Sequence, residues 1–286
     1  MMMPSGETMR RVFSTGLVLW IIFFFAAAFA AGEEKKLSPC EISYPSDVLI
    51  PWTCHRLKKN ESLESLFGDR WQSVARFNRI DRRHALPGTR LKIPLRLEDV
   101  EDFAPVPAEL AYEASDKDPK FILIDLTEQF LGAYENGVLI FSSPIASGKS
   151  DFITPPGEFR IDAYSGRHES SLYTIEDEDI PYPMHYGLRF LVNEEGIEYW
   201  IHGRDMPGYP ASHGCVGLYD EDMQKEYYDF PDYPLMDTAR KLFEWAISPN
   251  HDVDGKLHSL KRGPRVLIFG EPPGGADGPP NMAPGP

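Results

Sequence analysis

Four residues that could carry out thiol chemistry lie within fourteen positions of the chain: His202, Ser212, His213 and Cys215. A cysteine thiolate is a strong nucleophile, and a nearby imidazole can take its proton and stabilise the charged sulfur. Gly203 and Gly214 would let the backbone approach a substrate carbonyl and direct N–H groups at a developing oxyanion. The residue types and their spacing therefore indicate nucleophilic catalysis by a thiol.

Other interpretations of these residues stay open at this point. Two histidines and one cysteine are also enough ligands for a zinc site. A cysteine by itself is more often an inert buried residue, and a histidine is more often an ordinary core or surface group. The residue types alone do not decide among a nucleophile, a metal site and no function.

Short predicted strands surround the motif. Runs of β-branched and aromatic residues bounded by turn residues predict strands at 121–126, 129–134, 138–142, 157–163, 188–192 and 199–202. Asn136 and Gly137 form a strong hairpin signal between two of them. This pattern favours a mostly β fold, in particular a β-sandwich. His202 would then end one strand and Cys215 would begin the next element, with both facing one cleft.

Two helices and a closing strand are predicted after the motif. Residues 221–228 and 235–247 have helical character, and the second segment carries apolar residues at Leu242, Phe243, Trp245 and Ala246. The helices are expected either to flank the cleft or to pack on the sheet. Residues 265–269 predict the closing strand.

Several segments of this region are similar, in the same order, to a known family. They are Phe121-Ile-Leu-Ile-Asp-Leu, Tyr134-Glu-Asn-Gly, Pro144-Ile-Ala-Ser-Gly-Lys, Thr154-Pro-Pro-Gly-Glu-Phe-Arg-Ile, His202-Gly and Ser212-His-Gly-Cys. Over residues 120–270 this combination resembles the YkuD-type L,D-transpeptidases of bacterial cell walls. The resemblance implies a YkuD-type β-sandwich catalytic domain with added helices.

The resemblance also implies a role for each residue of the motif. Cys215 matches the nucleophile, which attacks the carbonyl of the third stem-peptide residue and expels the terminal D-Ala. His202 matches the base, and the carbonyl of Gly203 orients its imidazole. N–H groups around Gly214 and Cys215 are expected to form the oxyanion hole. The positions that shape the site correspond to Ser212, His213 and Gly214. An amine of a second stem resolves the acyl-enzyme, and neither a cofactor nor a metal is implied.

Two features depart from the family pattern. Many relatives carry Arg or Asn two places after the cysteine, where this chain has Gly217. Arg204 or Arg189 could supply the missing positive charge. The spacing from His202 to Cys215 is also short, and residues 207–211 are expected to form a compact turn between them.

The first thirty residues predict export. Arg10 and Arg11 precede an apolar run at 12–29, and Ala28-Phe-Ala places small residues at the spacing of a signal-peptide cleavage site. The run is nearly as long as a membrane span, so the alternative to a signal peptide at 1–30 is an uncleaved anchor through 12–29. Either arrangement places the bulk of the chain in the periplasm or at the cell wall. The net charge of −15 argues against nucleic acid as a partner.

The chain has three cysteines, which can oxidise outside the cytoplasm. Cys40 and Cys54 flank a short loop and are expected to pair, which leaves Cys215 free. The alternative is that Cys40 and Cys54 are unpaired. Residues 31–49 are polar and irregular and predict a linker.

Residues 50–95 predict a small strand–helix–helix–strand module. An expected strand at 52–57 precedes a helix capped by Asn60 or Ser62, and an apolar stripe at helical spacing covers 71–77. With Asn78 and the Leu86-Pro-Gly…Leu-Lys-Ile-Pro ending, the module resembles a LysM domain. That resemblance implies binding to glycan that contains N-acetylglucosamine, and the alternative is an αβ spacer with no ligand.

Two further segments have the composition of non-globular chain. Residues 96–119 are acidic and rich in proline, and they predict an inter-domain linker with a short helix near 108–114. Residues 271–286 are rich in Pro and Gly and predict a disordered tail.

Three functional hypotheses remain. The first is a cross-linking transpeptidase that acts on peptidoglycan stem peptides and glycan strands, or that uses an outer-membrane lipoprotein or a D-amino acid as acceptor. The second is a murein hydrolase on the same fold, either a carboxypeptidase or an endopeptidase. The third is a catalytically weak peptidoglycan-binding wall protein.

Overall fold

The computed structural model describes residues 37–110, 118–175, 179–247 and 252–273. The predicted signal peptide or anchor lies outside these ranges, as do parts of the predicted helix near 108–114 and of the tail. No helix within the described ranges is long and apolar enough to cross a membrane. The described residues belong to one compact unit that begins at Leu37.

A small module of two strands and two short helices opens this unit. Its elements are β1 (Trp52–Arg56), α1 (Leu63–Phe67), α2 (Trp71–Asn78) and β2 (Arg90–Pro94). They follow the predicted strand–helix–helix–strand order, and β1 pairs with β2 in antiparallel fashion. Helix α1 begins after Ser62, whose hydroxyl accepts a hydrogen bond from the Ser65 N–H. Helix α2 ends at Arg79, which has a left-handed φ of 53°.

Residues 37–49, which precede this module, are folded. The sequence predicted that they belong to an irregular linker at 31–49. Pro39–Glu41 and Pro45–Leu49 form short 3₁₀ helices. The predicted disulfide between Cys40 and Cys54 is present and ties the segment to β1. Tyr44 is buried, and the burial of such apolar side chains holds the segment against the fold despite its polar composition.

The described part of 96–119 also differs from the predicted free linker. Leu97–Val100 forms another 3₁₀ helix. Phe103 packs edge-on against Phe77 of α2 and against Phe130 of the following domain, with ring centroids 5.2 and 5.6 Å away. An aromatic cluster therefore joins the module to the residues that follow it, and composition alone did not reveal these partners.

Two five-stranded sheets and two helices make up the rest of the described chain. Their elements in chain order are β3 (Lys120–Asp125), β4 (Phe130–Glu135), β5 (Val138–Pro144), β6 (Gly157–Arg160), β7 (Ala163–Thr174), β8 (Pro181–Val192), β9 (Glu198–Arg204), β10 (Val216–Tyr219), α3 (Glu221–Tyr228), α4 (Thr238–Ile247), β11 (His258–Ser259) and β12 (Arg265–Phe269). The first sheet has the order β5-β4-β3-β12-β6, and the second has the order β10-β9-β8-β7-β11. The predicted mostly β class is confirmed.

Each sheet is antiparallel except for one pair. Strand β12 runs parallel to β3, and β10 runs parallel to β9. The hairpin between β4 and β5 turns at Asn136 and Gly137, which have φ values of 53° and 83°, as the sequence signal predicted.

The hairpin formed by β7 and β8 is the main difference from the predicted strands. Each of its strands has twelve residues, whereas the sequence indicated only 157–163 and 188–192. The strand predicted at 157–163 is in fact interrupted, because β6 ends at Arg160 and β7 begins at Ala163. The outer half of β7 is largely polar and exposed, so it lacks the apolar alternation from which a strand is predicted.

The core lies between the two sheets. One buried apolar cluster contains Ile124 and Leu131 from the first sheet together with Leu188 and Ile201 from the second. Helix α4 contributes Leu242 and Phe243 to the same cluster and contacts β8, β9 and β10. Of the two expected placements for this helix, packing on the sheet is the one observed. Helix α4 therefore packs against the strand pair β9–β10.

Candidate active site

The parallel strands β9 and β10 bring the two ends of the motif together. His202 of β9 is paired in register with Gly217, and Cys215 immediately precedes β10. Because side chains alternate along a strand, His202 and Arg204 lie on the same face of β9. In this register Cys215 comes beside Trp200, two residues before the histidine. The predicted base and nucleophile therefore lie on neighbouring strands.

A tight turn fixes the backbone at the cysteine. The Ser212 hydroxyl accepts a hydrogen bond from the Gly214 N–H at 3.1 Å and donates one to the Cys215 carbonyl at 2.5 Å. Gly214 has a φ of +110°, and a Cβ atom there would lie 2.7 Å from the Tyr199 ring, so the turn requires glycine.

This turn alters the expected oxyanion hole. The N–H of Gly214 is already bonded to Ser212, so it is not available to an oxyanion in this arrangement. Of the two N–H groups expected to form the oxyanion hole, that of Cys215 is the one not bonded to Ser212.

The imidazole of His202 is buried and held in one tautomer. Its Nδ1 lies 2.7 Å from the carbonyl oxygen of Gly203, the contact that the resemblance implied. Because a carbonyl only accepts, the proton sits on Nδ1 and leaves Nε2 as the acceptor. Burial, together with the positive charge of Arg204, lowers the pKa of His202 to about 3. His202 is therefore neutral at physiological pH, which is the form a general base needs.

The thiol of Cys215 is free and half-buried. Burial raises its pKa above the ordinary value of 9.0, while a backbone hydrogen bond from Trp200 and the charge of Arg204 oppose that rise. Within the described residues no hydrogen bond joins the sulfur to His202. The expected ion pair of thiolate and imidazolium is thus replaced by two neutral groups, and the sulfur is ionised only when the base takes its proton.

His213 lies at the rim of the site and is exposed. Its ring stacks on Tyr173 of β7 at 4.4 Å and meets the edge of Phe152 at 4.5 Å. The histidine therefore bridges the β7–β8 hairpin and the loop that follows β5. The role of His213 in shaping the site stays a prediction.

Asp220, a carboxyl group behind the base, was missed by the sequence analysis. Its Oδ1 accepts a hydrogen bond from the Met223 N–H at the start of α3. A Cβ atom at Gly203 would lie only 2.1 Å from Asp220 Oδ2, so the carboxyl packs directly against the residue that orients His202. The sequence offers an N-cap signal at Asp220, but that signal predicts a helix start and not burial.

The surroundings of Asp220 are unfavourable for a negative charge. Its side chain is buried, and Oδ2 has no hydrogen-bond partner within the described residues. His185 Nδ1 is 3.9 Å away. Burial, together with the nearby Asp222 and Asp237, raises the pKa of Asp220 to about 7. The group is therefore partly neutral near physiological pH.

The two arginines considered as sources of positive charge lie in different environments. Arg204 leans over Gly217. Arg189 lies on β8, where it forms ion pairs with Asp162 at 2.9 Å and with Glu198 at 2.6 Å. Only the first of these cations acts on both the thiol and the imidazole.

The loop that joins His202 to Cys215 packs against the N-terminal module. Pro207 of the loop forms a β-bridge with Ile80. The Tyr44 hydroxyl donates a hydrogen bond to the Gly208 carbonyl at 3.1 Å. The expected compact turn at 207–211 is thus supported from outside the sandwich.

One group of residues within the described ranges has the donor types of a metal site. Donor atoms of Asp81, His84 and Asp205 all lie within 4.8 Å of one another. Hydrogen bonds account for this closeness: His84 Nδ1 is 2.7 Å from Asp81, and the Gln224 amide donates to both carboxylates. None of these residues belongs to the motif, and both carboxylates already accept hydrogen bonds, those of Asp205 coming from Gln224 and Tyr182.

Comparison with known families identifies the domain that carries the motif. Residues 119–233 match the model of YkuD, the L,D-transpeptidase catalytic domain. The matched segment contains His202, Ser212 and Cys215, and the match confirms the predicted YkuD-type domain over those residues. No curated protein matches the chain.

Solved structures resemble the chain over part of its length. An L,D-transpeptidase from Stackebrandtia nassauensis is 24% identical, with 57% of this chain and 60% of that chain covered and a TM-score of 0.37. A cysteine-to-serine mutant of the Enterococcus faecium L,D-transpeptidase is 21% identical, with 53% and 50% covered and a TM-score of 0.34. An L,D-transpeptidase from Xylanimonas cellulosilytica is 20% identical, with 77% and 97% covered and a TM-score of 0.40. The chain thus spans only about half to three fifths of the first two structures.

Proposed function

We propose that this protein is an exported, cysteine-dependent L,D-transpeptidase that acts on the stem peptides of peptidoglycan. One observation carries the proposal: the segment that matches the catalytic domain holds a free thiol and, on the adjacent strand, a neutral imidazole of fixed tautomer. A thiol with an adjacent proton acceptor is suited to acyl transfer.

The first half of the reaction forms a thioester. His202 Nε2 takes the proton of Cys215, and the sulfur attacks the carbonyl carbon of the third stem residue. The N–H of Cys215 stabilises the negative charge that develops on the carbonyl oxygen. The bond to the terminal D-Ala breaks, and the imidazolium returns the proton to the leaving amine.

The second half transfers the acyl group. The side-chain amine of a second stem attacks the thioester and loses a proton to His202. The carbon–sulfur bond then breaks, and the proton passes to the sulfur to restore the thiol. The result is a 3→3 cross-link, and the thioester conserves the energy of the broken amide so that no nucleotide is consumed.

The molecule that accepts the acyl group distinguishes the alternative activities of the same site. Water in place of the amine gives an L,D-carboxypeptidase or endopeptidase, a lipoprotein amine gives tethering, and a D-amino acid gives exchange. The hypothesis of a catalytically weak wall protein rests on Gly217. The neutral base, the free thiol and the cation at Arg204 favour an active enzyme over that hypothesis.

The remaining segments are assigned by the same proposal. Residues 50–95 form a glycan-binding module of the LysM type, which the observed strand–helix–helix–strand order supports. Residues 1–30 direct export, and the enzyme works in the periplasm or at the cell wall. The disulfide between Cys40 and Cys54 fits such an oxidising compartment.

The decisive assay incubates the purified protein with disaccharide-tetrapeptide and measures the products by mass. Cross-linked dimers that lack one D-Ala support the transpeptidase, whereas shortened monomers alone support the hydrolase. Cys215→Ala and His202→Ala are each expected to reduce turnover by about 1,000-fold or more.

A matched histidine variant controls for general damage. His258 of β11 is paired with Asp254 and lies outside the motif, so His258→Gln is expected to retain turnover. Unchanged substrate with the wild-type protein, or turnover by Cys215→Ala, would contradict the assignment.

A further inference from the structure

Arg204 occupies the space that a side chain at position 217 would fill. A Cβ atom added to Gly217 would lie 1.8 Å from Arg204 Cδ and 2.1 Å from its Cγ. Gly217 is paired with His202, two residues before the arginine on the same strand. The absence of a side chain on β10 therefore lets the arginine stem cross from β9 to the strand that follows the cysteine.

The charge of Arg204 acts on both reacting groups. It lowers the pKa of His202 and opposes the rise in the pKa of Cys215. The guanidinium donates only to backbone carbonyls, from Nε to Asp205 at 3.1 Å and from Nη2 to Ala211 at 3.4 Å. Within the described residues no carboxylate forms an ion pair with it.

Two other arginines of the same unit are neutralised by carboxylates, whereas the half-buried Arg76, like Arg204, bonds to carbonyl and hydroxyl oxygens. Arg189 is paired with two carboxylates, and Arg82 bonds to the buried Glu221 at 2.5 Å. A half-buried cation without a counter-ion has lost part of its hydration without gaining an ion pair, so an anion that reaches it is bound more strongly than in water. A guanidinium suits a carboxylate best, because its planar fork donates two parallel hydrogen bonds.

We propose that Arg204 is a substrate-binding residue that receives the terminal carboxylate of the donor peptide. The inference rests on the proposed function, in which one residue with a free carboxylate leaves after the attacked carbonyl. A cation beside the thiol would hold that carboxylate one residue beyond the scissile bond. Arg204 would thereby select peptides in which a single residue follows the reacting carbonyl.

A pair of donor peptides tests the recognition directly. The same tetrapeptide stem is offered with its terminal carboxylate and as the terminal amide. With the wild-type protein, kcat/KM is expected to fall about tenfold for the amide, the effect of losing a hydrogen bond between charged groups. With Arg204→Gln the two peptides should react at similar rates, and with Arg204→Lys part of the preference should remain. An unchanged preference in Arg204→Gln overturns the proposal.

Alkylation of Cys215 tests the cation without any turnover. Iodoacetate carries a carboxylate and iodoacetamide does not, while Cys40 and Cys54 are protected as a disulfide. The ratio of the two rates cancels any change in thiol pKa, since both reagents attack the same thiolate. The rate with iodoacetate divided by the rate with iodoacetamide is expected to be at least about threefold higher in the wild type than in Arg204→Gln.

Two further variants complete the alkylation series. Gly217→Ala displaces the arginine stem while keeping the charge in the chain, so it should lower the ratio as well. Arg189→Gln removes a cation that is already paired and should leave the ratio unchanged. Equal ratios in the wild type, Arg204→Gln and Gly217→Ala overturn the carboxylate subsite. If the wild type processes no stem peptide, the proposed function fails, and the alkylation ratio still decides the subsite.

Discussion

Asp81 and Met206 exchange two hydrogen bonds between the N-terminal module and the loop that joins His202 to Cys215. The Asp81 N–H donates to the Met206 carbonyl at 2.8 Å, and the Met206 N–H donates to Asp81 Oδ2 at 2.7 Å. Both residues are buried. Residues before the catalytic domain thus hold the segment on which the spacing of His202 and Cys215 depends.

The first prediction concerns Asp81→Ala. The substitution removes the acceptor for the Met206 N–H, for the His84 ring and for one bond of the Gln224 amide. It leaves the buried N–H of Met206 unsatisfied, while Gln224 keeps its bond to Asp205. Each unsatisfied buried donor costs about 1–3 kcal/mol, so we expect the free energy of unfolding to fall by about 2–4 kcal/mol. Urea unfolding of both proteins measures the change.

Asp69 provides the matched control for this substitution. It is an exposed aspartate of the same module, so Asp69→Ala should change the free energy of unfolding by no more than about 0.5 kcal/mol. A loosened loop should also slow alkylation or turnover at Cys215 more in Asp81→Ala than in Asp69→Ala. Equal stability of the two variants would show that the contact with Met206 does not support the fold.

The second prediction concerns the ionisation of Cys215. Burial raises the pKa of the thiol, and burial lowers the pKa of His202 to about 3, so both groups are neutral in the resting protein. The rate of alkylation by iodoacetamide should therefore rise about tenfold per pH unit from neutral pH to beyond pH 9.

The pH dependence of the alkylation rate distinguishes a neutral pair of Cys215 and His202 from a preformed ion pair. A thiolate held by an imidazolium would give a plateau of reactivity at and below neutral pH, and that plateau would vanish in His202→Ala. The neutral pair predicts no such plateau in either protein. Rate constants measured across the pH range in the wild type and in His202→Ala therefore distinguish the two states.

The sequence predicts the parts of this molecule that depend on neighbouring residues. The turn at Asn136 and Gly137, the helix α3 and the strand β12 follow from local patterns, and the motif itself places Cys215 at the start of a strand. The sequence does not reveal contacts between distant segments, because no local pattern identifies the partner. Examples are the parallel pairing of β12 with β3, which lie more than a hundred residues apart, and the bonds of Asp81 to Met206.

In the candidate site, too, the sequence reveals local features but not contacts between distant segments. His202 and Cys215 were identified by residue type and spacing, and Arg204 was named only as one of two sources of charge. Its position over Gly217 depends on the register of β9 and β10, which the sequence does not specify. Asp220 was missed because its burial arises from the packing of its own side chain against Gly203.

The last prediction concerns Asp220→Asn. Burial raises the pKa of Asp220 from 3.8 to about 7 in the folded protein. The stabilising contribution of the neutral acid is fully present below pH 3.8 and is lost as the pH rises through about 7. Asparagine is neutral at every pH and keeps an oxygen that can accept the Met223 N–H. From pH 5 to pH 8 the variant should therefore lose less stability than the wild type, by at most about 3 kcal/mol. Urea unfolding at both pH values measures this difference, and the same pH dependence in the two proteins would mean that Asp220 is charged, and hence solvated or paired, within the fold.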